Sequence, residues 1–160
     1  MLNLLGVSKI TAKMVYDKLE SGHGETFTCQ EAKETIMAFN SFLAAAAPAA
    51  LNAFSPRPVL ANKIFPVRFP DGQVTLCSGL DAFSLQDRKI LGEAFGRLAN
   101  FLDFNLQEFR RLEIFITWAG LGDRYLSISV KEITSADRES TQPMSTPYRE
   151  IRGKSRALLR

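Results

Sequence analysis

Ile64-Phe-Pro-Val-Arg-Phe69 and Gln73-Val-Thr-Leu-Cys-Ser78, with Pro70-Asp-Gly72 between them, open the stretch that decides the fold, residues 64–133. Two apolar runs around a Pro-Asp-Gly triplet predict a β-hairpin, because proline fixes φ early in a turn and glycine supplies a positive φ later. Pro66 has no amide hydrogen to donate to a neighbouring strand. We therefore expect the first strand to lie at a sheet edge or to break at Pro66.

The sequence that follows this hairpin predicts one amphipathic helix. Ser84 and Asp87 have the spacing of a capping box, in which two side chains satisfy free amides at the start of a helix. Apolar residues then recur three and four positions apart and predict a buried face: Ile90, Leu91, Ala94, Phe95, Leu98, Phe101 and Leu102. Gly92 and Gly96 lie four residues apart, and they either allow another backbone to approach closely or are tolerated at the surface.

A second hairpin is predicted after this helix. Apolar and polar residues alternate through residues 112–118 and again through residues 124–133, with Gly120-Leu-Gly-Asp123 between the two runs. Such alternation, with β-branched residues, is typical of strands. The opposite face of this hairpin carries Phe115 and Tyr125, a pair that either stacks on bases, as in modules that bind single-stranded nucleic acid, or packs beneath a helix.

Two helices are predicted before the first hairpin. Ser8 caps a first helix that runs to about Ser21 and is stopped by Gly22-His-Gly24. Thr28 and Glu31 form a capping box for a second helix. The apolar face of this second helix consists of Ala32, Ile36, Phe39, Leu43 and Ala46.

Together these elements predict a single α+β domain over residues 1–133. Two N-terminal helices precede a ββ-α-ββ unit with a mostly antiparallel four-stranded sheet, and a flexible basic C-terminal tail, residues 134–160, follows. Two helices before a hairpin are also the order of a winged helix-turn-helix. The second helix, however, carries Glu31 and Glu34 beside Lys33 and offers few donors for bases or phosphates, which argues against DNA recognition by this helix.

The composition is that of one ordinary globular domain: 160 residues, 46% hydrophobic and 23% charged, with a mean hydropathy of -0.05. Cys29 and Cys77 form no CxxC pair, which favours a reducing compartment. Residues 1–7 lack the basic region of a signal peptide and are too short for its apolar region. The apolar window 38–54 is too short to span a bilayer. We therefore predict a cytoplasmic protein with no membrane partner.

No pattern in the sequence assigns a catalytic, cofactor-binding or metal-ligating residue. His23, Glu25, Cys29 and Cys77 match no common zinc spacing, and GxSxG, P-loop and GxGxxG motifs do not occur. A small enzyme would have to use carboxylates near loops. These are Glu25, Asp71, Asp81, Asp103, Glu108 and Asp123, which as loop residues are more often turn formers.

The positive charge is concentrated at the C-terminal end. Residues 1–133 contain 14 Lys/Arg and 14 Asp/Glu, whereas residues 134–160 contain 6 and 3. A basic segment with interspersed apolar residues can order on a polyanion or on a partner protein, or it can simply solubilise the chain. The candidate binding residues are Arg149, Arg152, Lys154, Arg156 and Arg160, extended by Arg110 and Arg111.

Two short segments resemble a known family. Val67-Arg-Phe-Pro-Asp71 and Leu91-Gly-Glu-Ala-Phe95 are similar to segments of rod-shaped plant-virus coat proteins, and the resemblance implies a helical-bundle subunit that polymerises around RNA. The family's arginine-rich exit from the helix is missing, since Gly96-Arg-Leu-Ala-Asn100 contains one arginine. We transfer no residue role from this family.

The sequence therefore favours a small, non-enzymatic binding or assembly protein. Our first hypothesis is association with nucleic acid through the basic tail. The first alternative is a protein-interaction or self-assembling subunit whose tail or sheet edge docks on a partner chain, forming a homo-oligomer where the partner is a second copy. The second alternative is a small enzyme that uses loop carboxylates.

Overall fold

The computed structural model describes residues 10–22, 27–46, 52–133 and 156–159. The helices are α1 (Ala12–Ser21), α2 (Cys29–Ala45), α3 (Pro56–Ala61), α4 (Lys89–Phe95), α5 (Leu106–Arg111), α6 (Glu113–Ala119) and α7 (Leu126–Ser129), with a 3₁₀ turn at Gly122–Arg124. The strands are β1 (Lys63–Arg68), β2 (Val74–Ser78), β3 (Phe101–Leu102), β4 (Val130–Ile133) and β5 (Arg156–Leu159). The predicted mixture of helices and antiparallel strands is confirmed, but its distribution along the chain differs from the prediction.

The two predicted N-terminal helices are confirmed. The N-cap of α1 is Thr11, whose side chain accepts from the Met14 amide, while Ser8 lies outside the described residues. Gly22 ends α1 with a left-handed φ of 47°. The capping box of α2 forms as predicted, because the Thr28 amide donates to Glu31 and the Glu31 amide donates to the Thr28 hydroxyl.

The first hairpin is confirmed, but the edge position of its first strand is wrong. Strand β1 pairs with β2 on one side and with β3 on the other, so it is central in a three-stranded antiparallel sheet. The Pro66 carbonyl accepts from the Asp103 amide at 2.7 Å. The N and C=O of one strand residue point to the same side, so the nitrogen of Pro66, which has no hydrogen to donate, also faces β3. The pairing of β3 with β1 involves Val67 and Arg68, so it does not need a donor at Pro66.

The predicted long helix after this hairpin is mostly wrong. Only Lys89–Phe95 is helical, because the preceding backbone is used in bridges: Ser84 pairs with Phe101, and Leu85 pairs with Tyr125. The Ser84 capping box therefore does not form, and α4 has no side-chain cap. Gly92 is buried, and its close neighbour is the side chain of Gln86 rather than another backbone.

The predicted second hairpin is also wrong, and with it the four-stranded sheet. Residues 113–119 form α6, because Leu112, Phe115, Ile116 and Ala119 fit the helical period and are all buried on one face. Residues 126–129 form α7, and β4 pairs with β5 in a separate two-stranded ribbon. The helical bundle implied by the resemblance to virus coat proteins is likewise not what the described residues form.

The core consists of two clusters of buried apolar side chains. The main cluster lies between α1, α2, β1, α5 and α6 and is rich in aromatic rings: Tyr16, Phe39, Phe65, Phe83, Phe104, Phe109 and Phe115. A satellite cluster of Phe95, Phe101 and Leu126 lies beneath α4 and α7. No helix in the described parts of the chain is long and apolar enough to cross a bilayer.

Candidate functional site

The structure describes three of the seven predicted binding residues. Arg110 and Arg111 occupy the last turn of α5, where both are exposed, and not the entry to a strand. Arg156 is the first residue of β5 and is paired with Ile133 of β4. Arg149, Arg152, Lys154 and Arg160 lie outside the described residues. The grouping of these cations in one patch therefore stays a prediction.

Arg110 and Arg111 are placed where positive charge is favoured. The last carbonyl groups of a helix carry a partial negative charge, which cations in the last turn stabilise. Within the described ranges, neither guanidinium forms an ion pair with a carboxylate. Both side chains are therefore accessible to an anionic ligand at the surface.

The predicted base-stacking pair does not exist. Phe115 is fully buried and packs against Phe39, Phe65 and Trp118. Tyr125 is half-buried and meets Phe109 edge-on, with ring centroids 6.0 Å apart. Of the two interpretations of these rings, packing beneath helices is the one that the structure adopts.

Most of the loop carboxylates inside the described ranges accept hydrogen bonds within turns or at the start of a helix. Asp71 accepts from the Gln73 amide in the hairpin turn, and Glu108 caps α5 through the Asn105 amide. Asp81 accepts from the Ser78 amide and hydroxyl, and these hydrogen bonds lower the pKa of the Asp81 carboxyl. Asp123 is exposed in the 3₁₀ turn, and Glu25 lies outside the described residues. A lowered pKa favours an acceptor rather than a general acid.

A charged cluster joins α2 to the central sheet. Lys33 Nζ lies 2.6 Å from Asp103 Oδ2, and Arg68 Nη1 lies 3.6 Å from Asp103 Oδ1. The Lys33 ammonium is also 5.7 Å from the centroid of the Phe104 ring. A polar cavity of about 390 Å³ adjoins these side chains and Glu108. Two cations and two carboxylates balance here, so Lys33 is engaged within the fold and is not a free phosphate contact.

The two cysteines are separate free thiols in the described part of the chain. Cys29 and Cys77 are both free and half-buried. Burial raises the pKa of the Cys29 thiol, and the Asp103 carboxylate acts in the same direction, so this thiol is protonated near neutral pH. In the ranges that the structure describes, no three His, Cys, Asp or Glu side chains group closely enough to hold an ion, and His23 is outside those ranges.

Three aliphatic side chains, on α4, in the turn after α4 and on α7, are exposed. Ile90 is 79% exposed, Leu98 is 70% exposed and Ile128 on α7 is 67% exposed. Sequence periodicity assigned Ile90 and Leu98 to a buried face, whereas the buried residues of α4 are Gly92 and Phe95. No local signal in the sequence could have found this exposure, because the apolar spacing by itself predicts a buried face.

These features define a small mixed α+β domain with a three-stranded antiparallel sheet, a thin satellite cluster and a basic C-terminal segment. The chain belongs to the family described as Domain of unknown function (DUF8348), whose model matches residues 13–130. No curated protein and no solved structure matches the chain. The family match includes both core clusters and ends before the basic segment, residues 148–160.

Proposed function

We propose that this chain is a non-enzymatic binding protein that associates with nucleic acid through its basic segment. The observation that carries the proposal is the segregation of charge: residues 1–133 are balanced, and the net charge of +3 belongs to residues 134–160. Lysine and arginine bind phosphates by releasing condensed counterions, and this binding does not depend on base sequence. A neutral domain with a basic extension suits that mode of binding.

The pairing of β4 with β5 supports this proposal. Ile133 is opposite Arg156, so the connection between the two strands, residues 134–155, starts and ends at the same place on the domain. Arg149, Arg152 and Lys154 belong to that connection. Of the five basic residues of the segment, Arg156 is thereby paired with the described part of the domain.

The test is the salt dependence of binding to a fluorescent single-stranded oligonucleotide. Five phosphate contacts on a single strand give a slope of log K against log salt of about -3.5. The variant Arg149→Gln/Arg152→Gln/Lys154→Gln retains two basic residues in the segment and is expected to give a slope of about -1.4.

A matched variant distinguishes the effect of where the cations lie from the effect of the total net charge on binding. Lys13→Gln/Arg57→Gln/Lys63→Gln removes three exposed cations from the described part of the domain and lowers the net charge by the same amount. We expect this control to retain the slope of the unsubstituted protein. The proposal fails if both variants behave alike, or if the segment variant binds with unchanged salt dependence.

A second candidate function is that of an assembly subunit. The exposed side chains of Ile90 and Ile128, on the contacting helices α4 and α7, favour it, because exposed apolar surface can mark an interaction site. Sedimentation equilibrium on nucleic-acid-free protein tests this candidate, and a strictly monomeric chain that binds no partner contradicts it.

A further inference from the structure

A cavity of about 420 Å³ lies between residues 82–84, residues 98–100 and Arg124. Hydrogen bonds join two of its walls, because the Ser84 amide donates to the Asn100 carbonyl at 2.8 Å and the Asn100 side-chain nitrogen donates to the Ala82 carbonyl at 3.2 Å. Ligand sites in proteins commonly have volumes of about 300–1,000 Å³. This cavity is therefore large enough for a small organic molecule, and its walls are held in place without one.

The guanidinium of Arg124 has a fixed orientation in the wall of this cavity. Its Nη1 donates to the Asp81 carbonyl at 2.6 Å, and its Nη2 donates to the Gly79 carbonyl at 2.7 Å. The guanidinium carbon also lies 4.5 Å from the centroid of the buried Phe83 ring. A guanidinium has more N–H donors than these two contacts use. The remaining donors have no partner among the residues that the structure describes.

The positive charge of Arg124 has no ion-pair partner in the described parts of the chain. Burial lowers the pKa of the guanidinium, whereas the Asp81 carboxylate acts in the opposite direction. That carboxylate accepts hydrogen bonds from the Ser78 amide and hydroxyl, and it does not line the cavity. Because arginine stays protonated in proteins, a half-buried cation lies at a cavity whose lining contains no carboxylate.

The rest of the lining offers one free donor and an apolar surface. The Ser84 hydroxyl lines the cavity and has no hydrogen-bond partner within the described ranges. The apolar part of the wall includes Phe83, Leu98 and Ala99. A guanidinium presents its N–H groups in a planar fork that matches the two oxygens of a carboxylate. The lining therefore complements a molecule with a carboxylate at one end and an apolar body at the other.

We propose that this cavity binds a small organic monocarboxylate. The free N–H groups of Arg124 and the Ser84 hydroxyl hold its carboxylate, and its apolar body lies against Phe83 and Leu98. The lining contains one cation, so the second negative charge of a phosphate dianion would stay uncompensated there. The site contains no residue of the basic segment, and this inference therefore adds a ligand to the proposed function without resting on it.

The experiment titrates the isotope-labelled full chain with sodium benzoate at constant ionic strength and follows the Ser84 amide and Arg124 Nε–H resonances by NMR. Benzoate is the probe because it joins one carboxylate to an apolar ring. We expect saturable shifts around the cavity, with a dissociation constant on the order of 1 mM. Benzamide has nearly the same shape but no charge, and it should bind at least about tenfold more weakly.

Substitutions at the cavity test the assigned contacts. Ser84→Ala removes the free hydroxyl and should weaken benzoate binding about threefold to tenfold. Leu98→Asp places a carboxylate at the exposed rim and should weaken it about fivefold. The matched control is Ile90→Asp, which introduces the same charge at another exposed aliphatic residue outside the lining and should leave the affinity unchanged.

Arg124→Lys retains the positive charge but removes the planar fork, and it should weaken benzoate binding at least about tenfold. Arg124 also holds the Gly79 and Asp81 carbonyls, so circular dichroism checks that this variant is folded. If it is not, Ser84→Ala and Leu98→Asp decide the question, because neither side chain donates to the backbone of the walls.

The proposal is overturned if benzoate gives no saturable shifts at the cavity, or if benzamide binds as tightly as benzoate. It is equally overturned if Ser84→Ala and Leu98→Asp both retain full affinity, or if Leu98→Asp and Ile90→Asp are weakened alike. Inorganic phosphate that binds more tightly than benzoate contradicts the assignment to monocarboxylates. All these outcomes are separate from the oligonucleotide assay, whose variants lie outside the cavity.

Discussion

The side-chain oxygen of Asn40, in the middle of α2, accepts a hydrogen bond from the backbone amide of Phe115 at 3.0 Å. Phe115 is in the first turn of α6, a helix whose own N-cap residue, Leu112, makes no side-chain cap. The Asn40 side-chain nitrogen donates to the Arg111 carbonyl at 2.7 Å. A buried asparagine on one helix thus caps another helix and satisfies the end of a third.

Replacing Asn40 should therefore be costly. Asn40→Ala leaves the Phe115 amide and the Arg111 carbonyl without partners, and we expect it to lower the free energy of unfolding by about 2–3 kcal/mol. Urea denaturation followed by Trp118 fluorescence measures this loss. Asn52→Ala, at an exposed position, is the control and should change the midpoint little. Equal midpoints for the two variants would refute the capping role.

The Lys33–Asp103 pair should contribute more to stability than an exposed pair of similar geometry. Both side chains are about four-fifths buried, at 23% and 20% exposure, which reduces screening by water. A double-mutant cycle with Lys33→Met and Asp103→Asn should give a coupling energy of about 1–2 kcal/mol. Asp103→Asn alone should cost more than Lys33→Met alone, because Arg68 still faces Asp103 after Lys33 is removed.

The exposed pair Lys13 and Asp17, 3.0 Å apart on α1, is the reference for that cycle. We expect its coupling to lie within experimental error, because water and salt screen it. A coupling for Lys33 and Asp103 as small as that of the reference pair would show that burial adds nothing to the interaction.

Gly79 is required by a close approach between two segments. A Cβ atom at this position would lie 3.1 Å from the Leu60 Cα and 3.0 Å from the Phe65 ring, and the Gly79 amide also donates to the Leu60 carbonyl at 2.8 Å. We expect Gly79→Ala to destabilise the fold by about 1–3 kcal/mol, the usual cost of overpacking. Gly122→Ala is the control, since a Cβ there meets nothing within 4 Å. Thermal unfolding that ranks the two variants in the opposite order would contradict this account.

The capping box of α2 makes stability depend on pH in a defined direction. Hydrogen bonds from the Thr28 amide and hydroxyl lower the pKa of Glu31 in the folded chain below the ordinary value of a glutamate carboxyl. The stabilisation is therefore fully present above about pH 4.5. It is lost as the pH falls through the lowered folded-state pKa, because protonation of the carboxylate weakens these bonds.

Glu31→Gln isolates this contribution. Glutamine retains the capping geometry but does not titrate. The stability difference between the unsubstituted chain and Glu31→Gln should be largest near neutral pH and should shrink as the solution is acidified. Denaturation midpoints measured across that range provide the test, and a difference that is constant with pH would exclude the carboxylate as its source.

Local signals in the sequence were sufficient for some elements only. Thr28 with Glu31 and the Pro70-Asp-Gly72 turn act over a few residues, and the structure contains both as predicted. The apolar positions in residues 112–119, by contrast, fit both a strand and a helix. What selects the helix there is packing and a capping bond from Asn40, 75 residues away in the chain, and no local pattern contains that information.

The candidate sites, too, could be predicted from the sequence only where they do not depend on packing between distant residues. Charge can be counted along a sequence, so the basic segment was evident without a structure. The exposure of Ile90 could not be predicted from periodicity. The backbone bridges at Ser84 and Leu85 delay the start of α4, and this later start changes which side of the helix is covered. Periodicity assigned Ile90 and Leu98 to a buried face, and the structure exposes both side chains.

The position of α2 has a consequence for the order in which the chain folds during synthesis. This helix packs against α1, β1 and α6, and its polar contacts with Asp103 and Phe115 join residues 70 and 75 positions apart. A ribosome releases α2 long before it makes α6, so the part of α2 that packs against α6 stays uncovered until then. Folding is therefore expected in one late step, after α6 has emerged. Before that step the nascent chain is most accessible to proteases and most available for binding by chaperones.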